Sequence, residues 1–194
     1  MHFERTIKWL LLLALALLLD WSLPAFAYRL PDSGQTKCYD ILGSEIVPCP
    51  APGQSYYGQD GNYRSHPMNY QDNGDGTVTD LNTGLMWEKS DSQNQYTRIW
   101  READNYCKYY CHLGLHKDWR LPTQAELLTL VHFGRTNPAI NTTYFPGCYG
   151  ERYWSATQSQ QHPDSKWQVQ FNGGFSVGAN ESLGSCVRCV RDGP

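Results

Sequence analysis

Hydrophobic and polar positions follow two different periods along this chain, and each change of period marks an element. In "DNGDGTVTDLNTGLMWEKS", residues 72 to 90, Thr77-Val78-Thr79 alternates as a half-buried strand does. Leu85-Met86-Trp87 follows after a turn at Asn82-Thr83-Gly84, and Asn73-Gly74 supplies residues that tolerate positive φ, so the stretch predicts a pair of hairpins. The period then lengthens. Ile99, Ala103, Tyr106, Cys107, Tyr110 and Leu113 form one helical stripe within residues 97 to 113, with Gly114 as a stop. A second helix is expected in "LPTQAELLTLVHFG", where Thr123 and Glu126 make a capping-box pair, Gly134 closes, and Leu127, Leu130 and Val131 form the buried face. Residues 137 to 151 lack periodicity and read as a long loop. The strand-like runs "RYWSAT", "KWQVQF" and "SCVRCVR" follow. Hairpins, two helices, a loop and then strands predict an α+β fold.

The first residues carry a different signal. Arg5 and Lys8 precede an apolar run from Trp9 to Leu19, and Ala25-Phe26-Ala27 offers small residues at the positions a signal peptidase inspects. A run of about a dozen residues is short of the roughly twenty a membrane span needs. The expected organisation is a signal peptide over 1–27, a disulfide-clipped hairpin and lead-in over 28–60, and a main domain over 61–192. The protein is expected to be exported, to the periplasm or outside the cell, with no stable membrane anchor after cleavage.

Composition narrows the partners. The net charge is −3 and no Lys/Arg cluster occurs, which argues against nucleic acid. Seven cysteines, Cys38, Cys49, Cys107, Cys111, Cys148, Cys186 and Cys189, predict a disulfide framework with one thiol left over in an oxidising compartment. Cys38 and Cys49 flank a turn containing Gly43 and are expected to clip their own hairpin.

Candidate chemistry is sparse. The aspartates of residues 72 to 80 fail the calcium-loop template in both registers, with Gly74 or Gly76 at the sixth position, so turns explain those letters better. "CKYYCHLGLH" places Cys107 and Cys111 one helical turn apart beside His112 and His116, a geometry open to zinc as well as to disulfide chemistry. None of the histidines falls in a nucleophile-elbow or zinc-hydrolase motif, so an enzyme is not expected, and no cofactor is implied. The long loop offers Tyr144, Tyr149 and Tyr153 with Glu151 and Arg152, rings and hydrogen-bonding groups suited to a saccharide or a protein. The leading expectation is a ligand-binding or adhesion-type module; the alternative is a protein-interaction or surface-display domain with no small ligand.

In the order "DNGDGTVTDLNTGLMW", "DWRLPTQAEL", "YWSAT" and "VRCVR", the chain resembles the bacterial Lcl C-terminal domain family over roughly residues 65 to 192. The resemblance implies a C-type-lectin-like fold, two helices on a small twisted antiparallel sheet with a long irregular loop, stapled by disulfides. It implies Cys107–Cys189 and Cys148–Cys186 bridges, leaving Cys111 as the odd thiol, through which a covalent dimer could form. With Cys107 claimed by that bridge, a haem or zinc reading of "CKYYCHLGLH" loses a ligand. The residue triplets of calcium-dependent sugar sites are missing from "TNPAI", "YFPGC" and "KWQVQF", so any saccharide binding is expected to do without that calcium site. The sulfated polysaccharides described for the family's adhesin call for a basic surface, which a net charge of −3 does not supply.

Overall fold

The computed structural model describes residues 29–90, 97–147, 151–160 and 162–193, so the expected signal peptide lies outside the described residues. The described chain forms three antiparallel sheets. The first pairs β1 (Cys38–Tyr39) with β2 (Glu45–Ile46). The second orders β3 (Tyr70–Asp72), β4 (Thr77–Asp80), β5 (Leu85–Glu88) and β9 (Val190–Asp192) as β3-β4-β5-β9. The third runs β6 (Arg152–Gln158), β7 (Ser165–Gln170), β8 (Phe175–Asn180) in sequence order.

This architecture overturns the α+β, C-type-lectin-like expectation. The described residues are mainly β, in sheets of 2, 4 and 3 strands, with one real helix of 11 residues. That helix opens as α1 (Trp100–Asn105) and continues as a π turn over Tyr106–Tyr110, closed by Cys111 N–H donating to the Tyr106 carbonyl at 2.9 Å. The wider turn rotates the predicted stripe: Ala103 and Cys107 are buried, whereas Tyr110 is 73% exposed. The second predicted helix shrinks to α2 (Gln124–Leu128). Its capping box forms as expected, with Thr123 Oγ1 accepting from Glu126 N–H and Glu126 Oε2 accepting from Thr123 N–H. What ends it is competition for the backbone. Thr129 Oγ1 donates back to the Glu126 carbonyl at 2.7 Å, and His132 and Phe133 N–H donate to Ala139 and Ser33 carbonyls. Leu127, Leu130 and Val131 are still buried, two of them from non-helical backbone.

The hairpins of residues 70 to 88 form where turn chemistry places them. Asp75 Oδ1 accepts from Thr77 N–H and Oγ1, Asp72 Oδ1 accepts from Gly74 N–H, and Asp80 Oδ2 accepts from Thr83 Oγ1. Gly74 and Gly84, at φ 77° and 75°, take the left-handed positions these turns require. The strands are buried on both faces rather than one: every residue of β4 and β5 is inside. Strand alternation therefore feeds two cores. Leu85 and Trp87 join Val78, Leu127, Phe145, Tyr153 and Val190 on one side. Met86 joins Ala103, Cys107, Trp119, Trp154 and Cys189 on the other.

Two crosslinks fasten this arrangement. Cys38–Cys49 clips the first hairpin and Cys107–Cys189 ties the helix to the approach of β9, both as expected. The hairpin also docks by close approach: a Cβ at Gly61 would lie 2.4 Å from the Lys37 carbonyl oxygen. Loop-closure entropy assigns roughly 3 kcal/mol to the shorter bridge and about 4.5 kcal/mol to the longer.

Two measurements probe this frame. Paired replacement Cys38→Ser with Cys49→Ser is expected to cost about 3 kcal/mol in denaturant unfolding. The second concerns Glu126, which Arg120 grips through both terminal nitrogens at 2.9 and 2.8 Å. Burial pushes the Glu126 carboxyl up, but the Arg120 and Thr123 bonds outweigh it and hold the group below its ordinary value near 4.5. Its stabilisation is thus complete above that value and disappears as pH falls through the lower folded-state pKa. Thermal melts taken from neutral pH into the acid range are expected to show a loss in the native protein that Glu126→Gln removes.

Candidate functional site

The third sheet carries one row of polar side chains on the face opposite its core row. Along β6 and β7, Tyr153, Val169 and the following Phe171 point into the first core, so Arg152, Gln168 and Gln170 share the other side. Segment 183–186 lies beside them. Cys186 forms a parallel bridge with Tyr153, its N–H donating to the Arg152 carbonyl at 2.9 Å, and Ser185 pairs antiparallel with Arg98. Between these pieces lies a cleft of about 400 Å³, lined by Thr97, Glu151, Arg152, Gln168, Gln170 and Ser185 among others.

The floor and rim differ in character. Gln168 is fully buried; its Nε2 donates to Ser185 Oγ at 2.7 Å, while its Oε1 has no partner among the described residues. A buried amide oxygen left without a donor is uncommon in folded proteins and costs stability. Ser185 Oγ donates onward to the Gly184 carbonyl at 2.9 Å, so its proton is committed. Glu151 and Arg152 are exposed at the rim and bring opposite charges to it.

The five residues expected from sequence divide. Glu151 and Arg152 line this cleft. Tyr153 is fully buried, edge-on to Phe171 at 5.3 Å and under the Arg188 guanidinium at 5.6 Å, so its ring belongs to the core. Tyr144 is half-buried, 5.4 Å from the Tyr70 ring, and packs on the same core. Tyr149 lies outside the described residues, as does Cys148 and with it the expected Cys148–Cys186 bridge. Sequence reasoning missed Thr97, Gln168, Gln170 and Ser185. The alternation of "KWQVQF" was the signal for the glutamines, and their common side shows only once β6 is paired with β7.

A second constellation lies on the far side of the second sheet. Glu88, at the end of β5, is buried; its Oε1 accepts from Tyr106 Oη at 2.8 Å and its Oε2 from Cys189 N–H at 3.1 Å. The Cys111 thiol is free and 2% exposed, and a carboxylate oxygen of Glu88, the Cys111 sulfur and the Cys189 sulfur lie within 4.8 Å of one another. Burial and then the neighbouring Glu88 carboxylate push the Cys111 thiol well above the ordinary range. Among the described residues this set, rather than Cys107 and Cys111 with His112 or His116, groups the metal-capable atoms, but Cys189 spends its sulfur on Cys107. An intermolecular bridge from Cys111 would require the thiol to leave this buried position.

A comparison with curated proteins yields no match. The family model for the Lcl C-terminal domain matches residues 76–191, a span that holds β4 to β8, the helix, the polar cleft and Cys111. As that span is more than half of the 194 residues, the chain belongs to the Lcl C-terminal domain family.

Proposed function

We propose that this protein is an exported binding module that holds a neutral, hydroxyl-rich ligand of the saccharide class in the cleft between β6–β7 and segment 183–186, without calcium. The observation that carries the reading is Gln168 Oε1, a buried acceptor on the cleft floor with no donor among the described residues. A ligand hydroxyl supplies that donor, and Gln170, Thr97, Glu151 and Arg152 offer further hydrogen bonds around it. The rim charges oppose each other, which suits a neutral ligand better than a sulfated one. Catalysis is disfavoured by the lining: among the described residues it contains no histidine, and the Ser185 hydroxyl donates to a carbonyl rather than to a base. The export reading rests on the leader-like first 27 residues, and among the described residues no helix is long and apolar enough to cross a membrane.

A glycan-array screen of the oxidised protein, with calcium and again with chelator, tests this reading. Binding that survives the chelator is expected, and Arg152→Ala or Glu151→Ala should weaken it about tenfold or more, because each removes a hydrogen bond to a charged group. Both side chains are exposed, so melting temperature is expected to stay within the small range typical of surface changes. Binding lost with chelator would overturn the calcium-free site. An array without hits would favour the protein-interaction alternative.

A further inference from the structure

The cleft next to the second constellation measures about 340 Å³ and is lined by Glu88, Ser90, Tyr106, Tyr110, Cys111 and His112, among others. It does not overlap the polar cleft, which shares none of these residues. Cys111, 2% exposed, is part of its lining. The Cys107–Cys189 bridge lies behind it, both cysteines at 0% exposure, so a thiol entering from solvent meets Cys111 and not the bridge.

We propose that Cys111 is the exchange nucleophile of a three-sulfur centre that hands the buried Cys107–Cys189 bridge to the cleft, where a small thiol can reach it. The Cys111 sulfur attacks Cys189 Sγ: a Cys111–Cys189 bond forms, the Cys107–Cys189 bond breaks, and Cys107 leaves as a thiolate. The proton lost by Cys111 passes to the Glu88 carboxylate and from it to Cys107. One thiol and one disulfide go in and one of each comes out, so no oxidant or reductant is consumed. The new bridge ends on the cleft-lining sulfur. There a small thiolate R–S⁻ attacks Cys111 Sγ, giving an R–S–S–Cys111 mixed disulfide and a Cys189 thiolate; a second small thiol releases RSSR and restores the Cys111 thiol.

Three features of the site support this chemistry. The attacking and attacked sulfurs are already within 4.8 Å, with a carboxylate oxygen at the same distance or less from each. That carboxylate is held in place by Tyr106 Oη and Cys189 N–H, on the two elements that carry the leaving and attacked sulfurs. The π turn over Tyr106–Tyr110 carries Cys107 and is followed at once by Cys111, so both cysteines pack in the second core with Cys189 while Cys111 also lines the cleft. Burial and then Glu88 push the Cys111 thiol up, so its attack depends on passing the proton to the adjacent carboxylate.

The test is reduction of the purified, oxidised full chain by 2-mercaptoethanol, stopped with acid at timed intervals, alkylated and mapped by peptide mass. The expected record in the native protein is a first mixed disulfide on Cys111, with alkylation appearing on Cys107. Cys111→Ser is expected to slow loss of the Cys107–Cys189 bridge by about tenfold or more, since both of its sulfurs are then shielded. Glu88→Gln, which leaves every sulfur in place, is expected to slow the same step, with circular dichroism confirming a retained fold. A first adduct on Cys107 or Cys189, or equal reduction rates in Cys111→Ser and native protein, would overturn the proposal. If Cys111→Ser does not fold, the position of the first adduct in the native chain decides alone. An unchanged rate in Glu88→Gln would remove the carboxylate's part in proton transfer.

Discussion

Glu88 is the junction on which the second sheet, the helix and the C-terminal segment depend. A buried carboxylate is tolerated only when its oxygens are hydrogen-bonded, and here the two oxygens take donors from two different elements: Tyr106 on the helix and the Cys189 amide before β9. The backbone of the same residue closes the circuit, because the buried Arg188 guanidinium donates to the Glu88 carbonyl at 2.6 Å and to the Lys89 carbonyl at 2.8 Å. Satisfying one charge therefore fixes where β5, the helix and residues 188–189 stand relative to one another. The Cys107–Cys189 bridge locks two of these pieces, the helix and residues 188–189, covalently. It also explains why the thiol of Cys111 ends up against a carboxylate and a disulfide instead of in solvent.

Around this junction the fold works by alternation. Because β4 and β5 are covered on both faces, consecutive residues serve different cores: Leu85 and Trp87 one, Met86 and Glu88 the other. The third sheet applies the same rule more loosely. Tyr153 and Val169 fill the first core, and their neighbours Arg152, Gln168 and Gln170 are left to face the cleft. The polar site is thus a by-product of how the sheet buries its apolar row, closed over by a segment that pairs with β6 in parallel through Cys186.

Features written in a few adjacent residues were legible without coordinates. The Asp-Asn-Gly turns, the Thr123–Glu126 capping box and the self-clipped Cys38–Cys49 hairpin each need only local chain geometry, and each forms. Cys107–Cys189 was legible through family resemblance alone, since nothing local joins residues 82 positions apart. Helix extent was not legible. The periodicity of Leu127, Leu130 and Val131 records burial, and burial is met equally well by the turn backbone that Thr129 and the Ala139 and Ser33 carbonyls impose. Rings misled for a related reason: an aromatic in an irregular loop can line a surface or fill a core, and Tyr144 and Tyr153 fill the core.

By itself, then, the sequence determined the turns, the caps, the hairpins and the family, because hydrogen bonds between near neighbours and ordered motifs carry that information. The tertiary structure alone decided that the described residues are mainly β and that Gln168 lies under Glu151 and Arg152 with an oxygen that has no partner among the described residues. It also decided that Glu88 meets Cys111 and Cys189. Each of these is a meeting of residues far apart in the chain. Such meetings are set by which buried polar groups must find partners when several elements pack at once, and no local pattern encodes that competition.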